Sequence, residues 1–266
     1  MKPQDVARDL TVSVVMPALN EEKNIILAIS NAFAAMDDFG IKGEVIVVND
    51  GSIDKTKELV NNFIAKVRRL KIINHETAQG VGASFWDGVD SSTGDIVIML
   101  PGDNENDPWE IFRYYQLLEH VDIVIPFIFN KEARSLFRNM LSYVYRFIIN
   151  TTFSVNFNYT NGTVLYRKSL LRELPYRSGG FFFQADILIR TVKRGYLFAE
   201  VPYKLGIRRE GISKAVSFPS LVKVISGYLR LVKDLYFKKR ECLQAVPFCK
   251  DSLTAERHQE KNLKYT

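Results

Sequence analysis

The chain has 266 residues, 47% of them hydrophobic, a formal net charge of +6 and two cysteines, Cys242 and Cys249. That length suffices for one large domain with a well-buried core, and a C-x6-C pair fits neither a disulfide framework nor a zinc site. The charge is local: residues 207–240 hold nine Lys/Arg against two Asp/Glu, an excess of +7 (9 − 2) that exceeds the whole-chain value, which points to a phosphate or membrane-surface contact and away from nucleic acid.

In chain order, Thr11–Met16 (TVSVVM) is a β-branched strand run closed by Pro17, and a helical period follows from Glu21 to Phe39. Glu44–Val48 is a second strand ending in NDGS; a helix over Asp54–Val67, a strand at Leu70–Ile73, a helix over Gly80–Ser92 and a strand at Asp95–Leu100 come next. Asp107–His120 reads as a helix and Asp122–Pro126 as a fifth strand. Continuous apolar strands alternating with helices predict an α/β fold, a mostly parallel sheet flanked by helices. Ligands of such sheets sit beyond the carboxyl ends of the strands.

The second half is less regular. Arg134–Ile149 is a basic, aromatic helix; Gly162–Arg167 and Phe198–Tyr203 are short strands, with a helix over Phe183–Arg194 that stops at Gly195. Leu221–Phe237 is an amphipathic helix with Leu221, Ile225, Tyr228, Val232 and Leu235 on one face and Lys223, Arg230 and Lys233 on the other. The polar end of the chain is expected to be loosely ordered. The expected division is 10–127 and 128–216 as two halves of a 1–240 domain, 217–240 as the basic helix, and 241–266 as a polar tail. The N-terminal MKPQDVARDL has no apolar leader, and the longest charge-free stretch, Phe147–Tyr166, carries four Asn and four Thr, which hydrocarbon would reject. The expected location is therefore cytoplasmic, peripheral on the cytoplasmic face of the membrane.

Three loops follow strand ends. PGDNEND (101–107) gathers Asp103, Glu105 and Asp107, whose mutual repulsion calls for a cation or for donor groups. Hard cations such as Mg²⁺ and Mn²⁺ take such oxygens and bridge to substrate phosphates. His75, His120 and His258 are scattered, so carboxylates are the metal ligands the sequence offers. Helix capping explains the same acids; Asp107 is assigned to the cap, and Asp103 and Glu105 to the metal. PALNEE (17–22) and NDGS (49–52) place Glu21 and Asp50 at the ends of the first two strands, where Asp50 can accept bonds from a ribose or a base, or simply form a D-G turn. AQGVGAS (78–84) has G-x-G before a helix without the full dinucleotide-binding pattern.

Together VVMPALNEE, VVNDGSIDKT and QGVGASFWDGVDSSTGDIVIMLPGDNE resemble the inverting family 2 glycosyltransferases with the GT-A fold. The resemblance implies that Pro17, Leu19, Glu21, Asp50, Gln79 and Asp103 contact a nucleotide-diphosphate sugar, and that Asp103 binds the metal. Where the family has the first Asp of D-x-D, this chain has Pro101, and Glu105 stands where the family places a further polar residue. The second half is similar to the dolichol-phosphate mannose synthase branch, whose acceptor is a polyprenyl phosphate. NYTNGTV keeps Thr160 and Gly162, with Val164 in place of an Arg; FQAD supplies Gln184 and Asp186; EVPYKLGIRREGISK supplies Glu200, Arg208, Gly211, Ser213 and Lys214. The resemblance implies phosphate or acceptor contacts at Gln184, Arg208, Ser213 and Lys214, with Arg134, Arg138 or Arg209 replacing the lost Arg.

The implied chemistry is transfer of a sugar in one in-line step, with Asp103, Asp186 and Arg208 in the catalytic machinery. Asp186 reads equally as a base or as an orienting carboxylate, because a phosphate acceptor needs no base and a sugar hydroxyl does. The basic helix reads equally as a membrane-interface element and as a packed surface helix. A family 2 enzyme acting on a glycan hydroxyl, and a nucleotide-sugar-binding protein with degraded catalysis, are the alternatives.

Overall fold

The apolar runs form strands β1 (Val12–Ala18), β2 (Gly43–Asp50), β3 (Leu70–His75), β4 (Ile96–Met99) and β5 (Ile123–Ile128), completed by β6 (Leu165–Arg167) and β7 (Phe198–Tyr203). The computed structural model describes residues 10–130, 136–174, 176–204, 218–237 and 248–264. The strands make one sheet in the order β3-β2-β1-β4-β6-β5-β7. All neighbours are parallel except β6, which runs antiparallel to both β4 and β5. The expected mostly parallel α/β sheet is therefore present. Its order reverses at β1, which lies between β2 and β4, so a crevice opens beyond the carboxyl ends of these three strands.

Alternate residues of β1 serve opposite faces. Val12, Val14 and Met16 pack with Ile25, Ile29, Phe33 and Met36 of α1 (Ile25–Asp38). Val15 packs with Phe85 and Val89 of α3 (Val81–Ser91). α1 is helical because its apolar residues recur three and four apart, and it ends before Gly40, whose φ of +65° closes the turn. α2 (Thr56–Ile64) joins α1 on one face. The helix expected over 107–120 is divided into α4 (Pro108–Phe112) and a tighter turn at Tyr115–Glu119. α5 (Leu136–Phe153), the short α6 (Lys168–Arg172) and α7 (Phe183–Arg194) cover the other face, and α7 stops at Gly195 with φ +96° as expected.

Two expectations are corrected. α8 (Phe218–Val232), extended by a wider turn at Lys233–Phe237, turns Val224, Tyr228, Leu231, Val232 and Leu235 onto the core, while Leu221 and Ile225 stay exposed. The packed stripe is thus rotated from the expected one. The polar end is also not loose: α9 (Leu253–Lys264) docks on the domain. The buried Asp122 carboxylate accepts the N–H groups of Leu253 (2.8 Å) and Thr254 (3.1 Å), satisfying the open amides of that helix start, and pairs with Arg167 at 3.1 Å. No helix among the described residues is long and apolar enough to cross a membrane.

Candidate active site

The loops after β1 and β2 are laced into one unit. Asn20 adopts φ +57°, which an Asn tolerates. Its N–H donates to Ser52 Oγ (2.9 Å) and its Oδ1 accepts from the Ile53 N–H (2.9 Å). The Glu21 N–H donates to Thr56 Oγ1 (2.8 Å), and the Glu22 N–H to Asp54 Oδ2 (3.1 Å). Burial pushes the Asp54 carboxyl up, but hydrogen bonds from Thr56 and Glu22 outweigh it and hold the group below its ordinary value. Ser52, Asp54 and Thr56 were visible as motif letters; their partners across the crevice were not. Pro17, Leu19 and Glu21 remain half-buried beside this lacing.

Asp50, at the end of β2, is buried. Its Oδ1 accepts from the Gln79 N–H (2.8 Å) and faces His75 Nδ1 (2.7 Å); its Oδ2 accepts from the Gly80 N–H (2.9 Å). The other ring nitrogen of His75 lies 3.0 Å from Asp87 Oδ2 on α3. Gly51, at φ +75°, permits this closure, since a Cβ there would meet the backbone of Thr77 and Ala78 at 2.8 Å. Asp50 thus fixes the 76–80 loop through its own main chain, and Gln79 contributes a backbone N–H while its side chain is exposed. His75, absent from the expected site, is the second holder of Asp50.

The third loop joins the other two at Pro17, whose carbonyl accepts from the Gly102 N–H (3.0 Å). A Cβ at Gly102 would come within 2.8 Å of the Ile25 side chain, so the loop lies directly on the start of α1. Asp103 Oδ1 accepts from the Glu105 N–H (3.1 Å) across Asn104, which sits at φ +56° and is tied to Asn31 of α1 (3.1 Å). Asp107 caps α4 by accepting from the Trp109 N–H (2.9 Å), as expected. Among the described residues no three His, Cys, Asp or Glu side chains gather as a metal group. Two half-buried carboxylates in a tight turn do match a hard cation that takes one or two protein oxygens and completes its shell with substrate phosphates and water. The donor set therefore fits Mg²⁺ or Mn²⁺.

The residues of the second half form a hydrogen-bonded framework, buried at Gln184 and Asp186 and exposed at Asn158. Gln184 Nε2 donates to the Gly162 carbonyl (2.5 Å), and Glu200 accepts from Asn158 N (2.7 Å) and Nδ2 (2.9 Å). Burial pushes the Glu200 carboxyl up. Thr160 is buried, and Val164 is in the core. Both oxygens of Asp186 accept from Arg190 Nε (3.1 and 3.0 Å), and Arg190 also binds Asp234 (2.8 Å). Burial pushes the Asp186 carboxyl above its ordinary value against the pull of Arg190, with Asp234 sharing the same guanidinium. Arg134, Arg208, Arg209, Gly211, Ser213, Lys214 and the side chain of Arg138 lie outside the described residues.

A family model described as glycosyl transferase family 2 matches residues 13–175. The chain is 25% identical over 174 residues to the dodecaprenyl-phosphate galacturonate synthase of Rhizobium johnstonii, covering 64% of this chain and 52% of that one. It is 27% identical over 227 residues to the undecaprenyl-phosphate 4-deoxy-4-formamido-L-arabinose transferase of Edwardsiella ictaluri, covering 84% and 67%. The chain thus spans about half the length of the first relative. Two solved structures share the fold. The glucosyl-3-phosphoglycerate synthase of Mycobacterium tuberculosis, solved with Mn²⁺, UDP and glucosyl-3-phosphoglycerate, has a TM-score of 0.62 at 22% identity, covering 84% and 80%. The mannosyl-3-phosphoglycerate synthase of Rubrobacter xylanophilus has a TM-score of 0.65 at 18% identity, covering 88% and 78%.

Proposed function

Because the chain belongs to glycosyl transferase family 2, we propose that it moves a sugar from a nucleotide-diphosphate sugar to a polyprenyl phosphate at the cytoplasmic face of a membrane. The observation that carries this reading is the lacing of the 17–22, 49–56 and 101–107 loops at the point where the strand order reverses. Pro17, Leu19, Glu21 and the loop held by Asp50 receive the nucleotide, with Gln79 acting through its main chain. Asp103 and Glu105 hold Mg²⁺ or Mn²⁺, which would supply Lewis-acid neutralisation of the leaving diphosphate. Arg134, Arg138, Arg208, Ser213 and Lys214 are the proposed phosphate contacts, with Arg208 proposed as part of the catalytic machinery.

In the transfer, the bond from the anomeric carbon to the diphosphate oxygen breaks as a bond to the acceptor oxygen forms on the opposite side, inverting the centre. A phosphate monoester has its second pKa at about 6 and is already an oxyanion at neutral pH. It needs no base, and this agrees with Asp186, whose oxygens are both taken by Arg190. Asp186 is accordingly proposed as a positioning residue that fixes α7, the helix that also carries Gln184. The acceptor class is supported by the names of the two relatives, both of which act on polyprenyl phosphates. Peripheral membrane contact is supported by the apolar residues that α5 and α8 expose.

The test is thermal stabilisation by UDP-, GDP-, CMP- and dTDP-sugars with and without Mn²⁺, repeated on Asp103→Ala. One donor class is expected to raise the melting temperature only with metal, and Asp103→Ala is expected to lose that increment. Equal stabilisation of the variant would remove Asp103 from the site.

A further inference from the structure

We propose that the cavity between the 176–180 loop and α8 is the seat of the acceptor's phosphate head, bound by Lys223 and Arg230, with the lipid chain leaving along the exposed apolar face of α8. The proposal rests on the polyprenyl-phosphate reading above and gives that substrate a site. The cavity holds about 310 Å³ and is lined by Ser178, Gly180, Lys223, Ser226 and Arg230 among others, with no carboxylate among the described residues of its wall. That volume lies at the lower end of the range of ligand pockets.

Its chemistry is that of a phosphate site. Lys223 offers a point charge, Arg230 a planar fork, and Ser226 a hydroxyl donor. The Arg230 guanidinium lies 3.7 Å from the centroid of the Tyr176 ring, which holds it at the wall. The nearby carboxylates Asp186 and Asp234 are both bound by Arg190, and Asp186 also feels the charge of Arg230. Two cations match a phosphate monoester of nearly two negative charges. Glycines bring the walls together: a Cβ at Gly227 would stand 2.9 Å from the Phe182 ring, and one at Gly180 3.3 Å from Lys223 Cβ.

The cavity is one loop away from the proposed nucleotide site. Cβ atoms at Gly80 and Gly82 would lie 3.2 and 2.5 Å from the carbonyl oxygens of Gly179 and Ser178. The Gly80 N–H, in turn, binds Asp50. The 76–82 loop therefore has Asp50 on one side and the cavity wall on the other.

The surroundings select a lipid over a soluble phosphate. Val222 lines the cavity, and Leu221, Ile225 and Leu229 are exposed along the same helix. α5 packs on α8 through Thr152 and the Tyr228 hydroxyl (2.8 Å) and exposes Tyr143, Val144 and Phe147. A cationic pocket opening onto exposed hydrocarbon side chains fits an amphiphile.

The test is calorimetric titration of the full chain with farnesyl phosphate, farnesol, inorganic phosphate and 3-phosphoglycerate. It is run on the wild type, on the Lys223→Ala/Arg230→Ala double variant, and on Lys223→Gln, whose exposed side chain leaves the fold intact. Wild type is expected to bind farnesyl phosphate at least tenfold tighter than either soluble phosphate, with farnesol weaker still. The double variant is expected to lose about tenfold or more and Lys223→Gln a smaller part, with nucleotide-sugar affinity held. Unchanged farnesyl phosphate binding in both variants overturns the proposal. So do soluble phosphates that bind as tightly as the lipid, or a matching loss of nucleotide-sugar affinity. If wild type transfers sugar to farnesyl phosphate and the variants bind it normally, the cavity assignment falls alone. If the variants lose binding but wild type transfers nothing to this lipid, the cavity stands and the acceptor reading falls.

Discussion

Asp50 and His75 stand opposite one another in the parallel pairing of β2 with β3, so a carboxylate and a ring separated by 25 positions meet at 2.7 Å. Nothing in the composition of either strand marks that pairing, because β3 is a partly exposed edge strand whose register on β2 is a tertiary outcome. Asp50 was legible from its motif; His75 looked like one of three scattered histidines. Its ring braces Asp50 from one side and Asp87 from the other, so it acts on the proposed nucleotide loop through Asp50. His75→Ala removes the ring's contacts with both Asp50 and Asp87; the bond to Asp50, charge-assisted, is worth about 1.5 kcal/mol. Titration of the nucleotide sugar is expected to show a Kd about tenfold weaker, with kcat at saturation nearly unchanged; an unaltered Kd would sink the bracing role. Asp186 and Val164 make the same point about partners. A motif letter told which residue stood there, and only the fold told that Arg190 occupies the first and the core encloses the second.

At the scale of elements, the strands were the most legible part, because continuous β-branched runs between turns leave few alternatives. β6 has three residues, too few for a pattern to show that it runs against its neighbours. α8 was legible as a helix but not in its facing, since apolar residues occur around much of its circumference and the packed stripe is chosen by Phe153 and Phe182 beneath Tyr228. α9 was missed because it is polar; its position is set by Asp122, more than 130 residues earlier.

The edge of the sheet opposite the crevice has its own clasp. Glu44 at the start of β2 accepts from Ser13 Oγ (2.8 Å) on β1, and from Thr93 N and Oγ1 (both 2.7 Å) before β4. Burial pushes its carboxyl up, but Lys71, Thr93 and Ser13 outweigh burial and hold it below the ordinary 4.5. The Lys71 pair is half-exposed and contributes at most about 1 kcal/mol, so the buried bonds dominate. A depressed carboxyl stabilises the fold above its unfolded pKa and loses that contribution as pH falls through the folded value. Glu44→Gln is therefore expected to cost about 2 kcal/mol near neutrality. Denaturant melts at a series of pH values should show the gap closing below about pH 4.5; a gap independent of pH would contradict the assignment.

Over the whole molecule, one sheet presents the laced loops at its reversal point, and two neighbouring helices expose apolar and basic side chains close by. The first feature was legible as four spaced motifs, the second only in part, because the Thr152–Tyr228 contact between α5 and α8 spans 76 positions and is tertiary. An enzyme that joins a water-soluble sugar nucleotide to a lipid needs both surfaces, one receiving the nucleotide and the other meeting the hydrocarbon. The most direct measurement is transfer of radiolabelled sugar from the stabilising nucleotide sugar to undecaprenyl phosphate in anionic vesicles with Mn²⁺, for wild type and Asp103→Ala. A lipid-linked, acid-labile product from wild type, lost on chelation and reduced at least about a hundredfold in the variant, is the expected result. Transfer to a glycan hydroxyl in place of the lipid, or undiminished transfer by Asp103→Ala, would contradict it.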